Sequence, residues 1–312
     1  MGGLVPAGRR GEGPRRAPGP RAREDRGARG DARRERSLSS AGGRDPDGSR
    51  PPAHAAPPAS LSGDRPLRGR NAAPPKGVGH EHDTDPAGTG GLMKIGIIGA
   101  GNIGGNLTRR LTALGHEVAV ANSRGPETLT ALAQETGATP VTVDRAAQGA
   151  EIVVVAIPFK NVPDLPEGLF DGAAPGVAVI DTGNYYPRRR DGRIAGVEDE
   201  GLTESRWTER QLGRPVIKAF NGTYAEDILD RHRPAGAADR IALPVAGDDE
   251  AAKKAVRDLI EELGFDTVDS GGLDDSWRQQ PDTPVYGLRE GIEGVTRALA
   301  EASPVRPEAF RG

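Results

Sequence analysis

A glycine pattern directly after a short apolar run is the feature that most constrains the fold of this chain. Residues 94–98 read KIGII, and Gly99, Gly101 and Gly104 follow them in the order G-x-G-x-x-G. An apolar, β-branched run of this length is typical of a buried parallel strand. Residues 102–114 then carry apolar side chains at helical spacing before a glycine ends the pattern. Strand, glycine turn and helix in this order predict the first unit of a doubly wound sheet.

Each glycine of the pattern has a separate physical reason. Gly99 permits the tight turn, Gly101 removes a side chain that would collide with a pyrophosphate, and Gly104 lets the helix pack closely on the strand. The first helical turn, which contains Asn102 and Ile103, offers unpaired N–H donors and the positive end of the helix dipole. The pattern therefore predicts that these five residues bind the pyrophosphate of a dinucleotide.

The rest of the folded part alternates between strand and helix patterns. We predict strands at residues 94–98, 117–121, 139–143, 151–157, 177–181, 215–220, 241–246 and 265–269, and helices at 102–114, 126–136, 144–150 and 248–263. Residues 273–302 are predicted to be mostly helical around a proline-broken loop at 281–284, as a small cap or dimerisation element. The fold class is thus α/β, a doubly wound parallel sheet with a small C-terminal helical element.

Residues 1–92 differ in composition from the rest of the chain. They hold 17 Lys and Arg against 11 Asp and Glu, and they contain no Ile, Phe, Trp or Tyr. Such a segment cannot bury enough apolar area to offset its ordering entropy, so we predict a disordered extension. Met93 opens directly on the first strand, which favours reading the preceding residues as an over-extended reading frame or an inert tail rather than a nucleic-acid-binding arm. We predict a Rossmann domain over residues 93–235 and a smaller α/β and helical region over 236–312.

The end of the second predicted strand indicates which dinucleotide is bound. A carboxylate there would report NAD, but the strand ends in Asn122, Ser123 and Arg124. A hydroxyl and a guanidinium suit the dianionic 2′-phosphate of NADP. We therefore expect Ser123 and Arg124 to bind that phosphate, the alternative being an ordinary turn with a solvated arginine.

Four later strands should end at the same edge of the sheet, where the nicotinamide would lie. Ile157 and Pro158 would form an apolar wall beside the ring, and Asn184, Asn221 or Thr223 would hydrogen-bond its carboxamide. The structural alternatives are that Pro158 only ends a strand, that Asp181 caps a turn and that Lys218 is a solvated edge residue.

Residues able to donate a proton to a hydride acceptor are few. Lys218 and Tyr185 are the candidates, because His116 and His232 are expected at structural or solvated positions and the other histidines, His54, His80 and His82, fall in the N-terminal extension. Aromatic residues offer a stacking surface for a second ring, with core packing as the alternative for each: Tyr185, Tyr186, Trp207, Tyr224 and Trp277.

Composition excludes several classes of function. The chain has no cysteine, so it has no disulfide, thiolate metal site, iron–sulfur cluster or cysteine nucleophile. It also lacks an apolar run of 18 or more residues. We expect a cytoplasmic protein that binds no metal, nucleic acid or membrane.

Seven sequence blocks carry a family resemblance. In chain order they read IGIIGAGNIGGNL, ANSRGPETL, VVVAIPF, VIDTGNYYP, RPVIKAFNGTYA, LPVAGDD and DSGGL. Together they resemble the NADP-dependent oxidoreductases related to the coenzyme F420:NADP oxidoreductases, over nearly all of residues 93–273. They are also similar to the NADPH-binding domain of the STEAP metalloreductases and, more loosely, to pyrroline-5-carboxylate reductases. The block after Phe220 (Asn-Gly-Thr-Tyr) and the stretch SWRQQPDTPVY depart from the F420 enzymes.

The resemblance implies NADPH held through Ser123 and Arg124, with a deazaflavin or flavin stacked near the nicotinamide. We therefore predict an NADP(H)-dependent oxidoreductase that transfers a hydride between the nicotinamide and an F420-like deazaflavin or a flavin, acting as a homodimer. One alternative is a small carbonyl or imine reductase that uses Lys218 or Tyr185 as the proton donor. The other is an NADPH-sensing protein without turnover.

Overall fold

Six parallel strands form the main sheet, in the order β3-β2-β1-β4-β5-β6. The computed structural model describes residues 91–312. The elements of that part are, in chain order, β1 (Lys94–Ile98), α1 (Asn102–Ala113), β2 (Glu117–Ala121), α2 (Thr130–Thr136), β3 (Thr139–Pro140), β4 (Ile152–Val155), β5 (Ala178–Asp181), α3 (Ala195–Glu198), α4 (Glu204–Leu212), β6 (Ile217–Lys218), α5 (Asp227–Asp230), β7 (Ala242–Val245), α6 (Glu250–Glu262), β8 (Asp266–Asp269) and α7 (Ile292–Glu301). The predicted α/β fold with a doubly wound parallel sheet is confirmed. The predicted extension lies outside the described residues except for its last two, Gly91 and Leu92.

The order of the strands places a topological switch point between β1 and β4. Strand β1 pairs in parallel with β2 on one side and with β4 on the other, and β4 continues the sheet to β5 and β6. The carboxyl ends of β1, β4, β5 and β6 therefore share one edge. In sheets of this topology, ligands bind in the crevice outside that edge.

A second, two-stranded parallel sheet is formed by β7 and β8, with α6 as their crossover. Lys218 and Ala246 form an antiparallel bridge between the two sheets. Side chains from both parts, such as Ile97 and Ile180 with Val256 and Phe265, belong to one buried hydrophobic cluster. The division at residue 235 stays a prediction.

Several local predictions were wrong in length or type. The predicted helix at 126–136 starts as a 3₁₀ turn, Pro126–Leu129, and the one at 144–150 is only a 3₁₀ turn, Val143–Arg145. The predicted helical tail is a 3₁₀ turn at Leu273–Gln279, a non-helical stretch and then α7. Prolines within the non-helical stretch lack the N–H that a continuous helix needs.

Helix α4 was not predicted from the sequence. Its composition is strongly polar, so it shows little apolar periodicity. Its caps were nevertheless visible: the Thr203 hydroxyl accepts from the amide of Arg206, and Gly213 ends the helix in the left-handed conformation. Trp207, on its inner face, is buried.

Two glycines allow backbone to lie directly against backbone around β1. A Cβ on Gly104 would lie 1.8 Å from the carbonyl oxygen of Gly99, and a Cβ on Gly99 would lie 2.2 Å from that of Ala156. Gly99 also has a φ of 107°, which disfavours any residue with a side chain. These contacts fix α1 close to β1, and β1 close to the chain that leaves β4.

Gly104→Ala should lower the free energy of unfolding by about 1–3 kcal/mol, because α1 must shift away from β1 to make room for the methyl group. Gly105→Ala is the matched control. It lies one residue along the same helix, and its added Cβ would make ordinary contacts with the flexible Arg109 side chain, at 3.4 Å, and with the carbonyl oxygen of Ala100, at 3.7 Å. We expect this control to leave stability unchanged or to raise it by up to about 1 kcal/mol. Urea unfolding of both variants measures the difference, and equal stabilities would contradict the account.

Candidate functional site

Gly101 has open space where a side chain would stand. It is exposed at the N-cap of α1, and a Cβ built on it meets no atom of residues 91–312 within 4 Å. Its φ of −77° is open to any residue. Neither backbone conformation nor packing of the described residues thus requires glycine at this position. The backbone at Gly101 is therefore open to the space in front of the helix end.

The first turn of α1 is also prepared for an anion. The helix has no side-chain cap and no acidic residue in its first turn, so its leading N–H groups lack the usual protein partners. Asn102 is exposed and Ile103 is partly buried against the core. The structure brings all five residues of the predicted pyrophosphate site to one helix end.

The turn after β2 is held by Asn122. Its Oδ1 accepts a hydrogen bond from the amide of Arg124 at 2.9 Å, and its Nδ2 donates to the hydroxyl of Thr128 at 2.9 Å. Ser123 and Arg124 are both exposed, and within residues 91–312 the guanidinium of Arg124 pairs with no carboxylate. The turn therefore supplies a hydroxyl and a guanidinium while the Asn122 side chain is used internally.

The predicted apolar wall follows β4. The Cγ2 of Ile157 lies 3.0 Å from the position of a Cβ on Gly99, so this side chain borders the glycine turn. Pro158 is exposed beside it, and Phe159 turns inward to the core. Ile157 and Pro158 thus lie at the crevice edge.

Asn184 and Asn221 hold each other across the ends of β5 and β6. The Nδ2 of Asn221 donates to Oδ1 of Asn184 at 3.1 Å and to the carbonyl of Gln279 at 2.6 Å, while Nδ2 of Asn184 donates to the carbonyl of Asn221 at 2.8 Å. Asn221 is only 5% exposed, whereas Asn184 is partly exposed. Asn184 is therefore the member that a ligand can reach, and Asn221 positions it. Thr223 lies two residues further, partly buried.

The residue before Asn221 has a strained backbone. Phe220 has a φ of 62°, and it is the only residue other than glycine with a positive φ among residues 91–312. This conformation costs about 1–3 kcal/mol, and such outliers cluster at functional sites.

A pair of tyrosines that are far apart in sequence lies next to Asn184. The hydroxyls of Tyr186 and Tyr286 are 2.5 Å apart, and Nδ2 of Asn184 is 3.5 Å from the Tyr286 hydroxyl. Burial and the hydrogen bond to Tyr186 raise the pKa of Tyr286. Tyr286 comes from the stretch SWRQQPDTPVY, which departs from the F420 enzymes. That departure was the only sequence signal for it.

The aromatic residues divide between core and surface. Trp207 stacks on Phe159 with ring centroids 4.4 Å apart, and Tyr185 is fully buried beside them, so these two pack in the core. Tyr224 is 47% exposed, and Trp277 is partly buried. Of the five aromatic candidates, Tyr186 is the one linked to the asparagine pair: its hydroxyl contacts that of Tyr286, which in turn contacts Asn184.

Lys218 is a buried cation and not a solvated edge residue. Its side chain is 0% exposed, and Nζ donates to the carbonyl of Gly183 at 2.7 Å and lies 3.4 Å from Oε2 of Glu204. Arg306 donates to the other Glu204 oxygen at 2.8 Å. Burial raises the pKa of Glu204, and the two neighbouring cations oppose that rise. No substrate can reach Lys218 as it is placed, so the burial argues against a role as proton donor.

Tyr185 is enclosed in the same way. Its hydroxyl accepts a hydrogen bond from the amide of Ile194 at 3.0 Å, and burial raises its pKa to about 12. His116 is likewise structural, since its Nδ1 accepts from the amide of Met93. Like Lys218, neither residue presents a proton to the crevice.

The fold is a doubly wound α/β fold whose strand order opens a crevice at the carboxyl ends of β1 and β4. Residues 94–185 match the family model described as NADP oxidoreductase, coenzyme F420-dependent. The hypothetical protein SMa0349 from Sinorhizobium meliloti, known from a crystal structure, is 30% identical with a TM-score of 0.52, and the match covers 63% of this chain and 94% of that one. The chain belongs to the family that this model describes.

Two further relatives share parts of the chain. A protein from Arthrobacter sp. FB24, assigned provisionally as an F420-dependent NADP-reductase, is 25% identical with a TM-score of 0.47, over 58% of this chain and 86% of that one. The Escherichia coli (strain K12) protein YjhV is 47% identical over 60 residues, 19% of this chain and 44% of that protein. The chain thus spans less than half the length of this curated relative. In the part of the chain that the structure describes, no helix is long and apolar enough to cross a membrane.

Gly101→Val should abolish dinucleotide binding while the fold persists, because the branched side chain fills the open space over the first turn of α1 without meeting protein atoms. Calorimetry with NADPH measures the binding, and circular dichroism checks the fold. Binding of NADPH by the variant at wild-type affinity would show that the glycine turn does not hold the pyrophosphate.

Lys218→Met should lower the free energy of unfolding by about 3–5 kcal/mol, because Glu204 then loses a cationic partner inside the protein. Denaturant unfolding measures this loss. A variant of wild-type stability that has lost only catalytic turnover would instead support the proton-donor role.

Proposed function

We propose that this chain is an NADP(H)-dependent oxidoreductase that transfers a hydride between the nicotinamide and an F420-like deazaflavin or a flavin. The observation that carries the proposal is the open space over Gly101 at an uncapped helix end. A pyrophosphate fits this place, and within the described residues the fold gives no reason of its own for a glycine there.

The order of the strands in the sheet places the other residues that we propose contact the cofactor. Ser123 and Arg124 at the end of β2 hold the 2′-phosphate, the first turn of α1 holds the pyrophosphate, and Ile157 lies against the nicotinamide. Asn184, fixed by Asn221, orients the carboxamide. Bound NADPH supplies the hydride; the protein contributes position, orientation and the exclusion of water.

A ring acceptor is favoured because the two proton donors predicted from sequence are buried. Hydride exchange between two rings depends mainly on stacking and orientation. The family model, described as coenzyme F420-dependent, supports the same class of acceptor. Tyr186, partly exposed and hydrogen-bonded to Tyr286, would border the acceptor.

The same tyrosine pair favours one second candidate, a carbonyl or imine reductase. A phenol at the crevice edge can donate the proton that carbonyl or imine reduction requires. In this version of the alternative, Tyr186 takes the role that sequence gave to Lys218 or Tyr185. The homodimer and the cytoplasmic location stay predictions.

A panel of acceptors separates these functions. Purified protein with NADPH is mixed with F420, FMN, FAD, ferric chelates, and small ketones and imines, and the decay of the reduced nicotinamide absorbance is followed. Gly101→Val serves as the matched control for dinucleotide binding. Decay with a deazaflavin or flavin supports the proposal, decay only with ketones or imines supports the second candidate, and NADPH binding without any decay indicates a sensing protein.

Arg124→Ala should weaken NADPH binding by about 1.5–3 kcal/mol, the size of a hydrogen bond to a charged group, and leave NADH binding nearly unchanged. The preference for NADPH should therefore fall by about one to two orders of magnitude. Arg124→Lys should recover only part of it, because a lysine lacks the planar guanidinium fork. Calorimetry with both cofactors measures the change. A wild-type preference for NADH, or equal weakening of both cofactors, would mean that the turn is merely structural.

A further inference from the structure

A turn of three arginines, held by backbone hydrogen bonds, follows directly after Tyr186. Residues 187–191 read PRRRD, and the amides of Arg189, Arg190 and Asp191 all donate to the carbonyl of Tyr186, at 3.2, 3.0 and 3.1 Å. The three arginine side chains are exposed. Because the backbone of the turn is fixed, the guanidinium groups extend from a defined base.

The carboxylate of this turn is used internally. The side chain of Asp191 is 0% exposed and accepts hydrogen bonds from the amide of Tyr186 at 2.8 Å, the amide of Lys160 at 3.3 Å and Nε of Arg190 at 2.9 Å. The bond to Lys160 ties the turn after Pro158 to the arginine turn. We name Lys160, Arg188, Arg189 and Arg190 the basic rim.

The basic rim carries excess positive charge. Apart from Asp191, the carboxylate that contacts it among the described residues is the exposed Glu308, 3.8 Å from Arg188. The four cationic side chains of the basic rim are thus balanced by only two carboxylates among the described residues, Asp191 and Glu308. Within residues 91–312, the side chains of Lys160 and Arg189 form no ion pair, so both are available to an anion.

The position of the rim separates it from the dinucleotide phosphates. Arg190 donates to the carbonyl of Asn184 at 2.5 Å, and its guanidinium lies 5.2 Å from the ring centroid of Tyr186. The rim therefore borders the end of β5. Arg124 follows β2, which is separated from β5 in the sheet by β1 and β4.

We infer that the basic rim binds the anionic side chain of the acceptor, a phosphate or a phosphate-linked carboxylate chain attached to the ring. This inference rests on the proposed function, since it assigns the acceptor half of the same site. Guanidinium groups bind phosphate oxygens in a bidentate manner, and an ammonium adds a point charge. The acceptor is accordingly a phosphorylated flavin or deazaflavin, not the bare ring.

The test compares ligands that share a ring and differ in charge. Calorimetry measures FMN and riboflavin binding to the full chain loaded with NADP⁺, at low and raised salt. A second pair is F420 and its chromophore without the phosphate-linked tail. The variant is Lys160→Ala with Arg189→Ala. The control is Arg145→Ala, at the opposite edge of the sheet, where it lines a cavity of about 320 Å³ with Lys94 and Glu117 from the starts of β1 and β2.

In the wild type, the phosphorylated ligand of a pair should bind about tenfold more tightly than its uncharged partner. The double variant and raised salt should both reduce this ratio several-fold, whereas Arg145→Ala should keep it. Riboflavin affinity should be the same in all three proteins. The inference would be overturned if both ligands of each pair bound equally well, or if the double variant kept the wild-type ratio. It would also be overturned if none of the four compounds bound.

NADPH oxidation by ring acceptors distinguishes failure of this inference from failure of the proposed function. If riboflavin or the F420 chromophore oxidises NADPH while the phosphate adds nothing to affinity, the hydride transfer stands and the basic rim is only a solvated surface. If no ring oxidises NADPH, the proposed function fails whatever the affinities are.

Discussion

The close approach of α1 to β1 is the constraint on which the site depends. Gly104 leaves no room for a side chain between the helix and the carbonyl of Gly99, and Gly99 leaves none toward Ala156. These contacts bring the first turn of α1 to the edge where β1 and β4 part. Gly101 stands at the same place with open space in front of it. Packing thus explains two of the glycines, and the open space at the third is where we propose that the ligand binds.

A buried ionic cluster supports the other half of the edge. Lys218 donates to the carbonyl of Gly183, the residue before Asn184, and is itself balanced by Glu204 and, 4.0 Å away, by Asp181. Removing these charges from water is costly, so the cluster is a means of fixing a loop and not a strong source of net stability. The loop that it fixes carries Asn184, Tyr186 and the arginine turn. The buried Lys218 therefore helps to hold in place the candidate site residues on this loop.

The sequence predicted those features that depend on residues close together in the chain. The strand, turn and helix at residues 94–114 followed from periodicity and glycine spacing, and the position of Ser123 and Arg124 after β2 followed from the second predicted strand. The burial of Lys218 and Tyr185 could not be predicted, because it depends on α4 and on Arg306 from the C-terminal tail, which are distant in sequence. The Tyr186–Tyr286 pair joins residues 100 positions apart, and no local pattern reports such a contact. The position of the crevice could be predicted from the sequence. Which of its polar side chains are exposed could not.

A crystal structure of the chain with NADPH tests the central claim most directly. We expect the pyrophosphate over Gly101 at the first turn of α1, the 2′-phosphate on Arg124, and the nicotinamide between Ile157 and Asn184. A dinucleotide bound at another edge of the sheet, or bound here with its pyrophosphate away from Gly101, would contradict it.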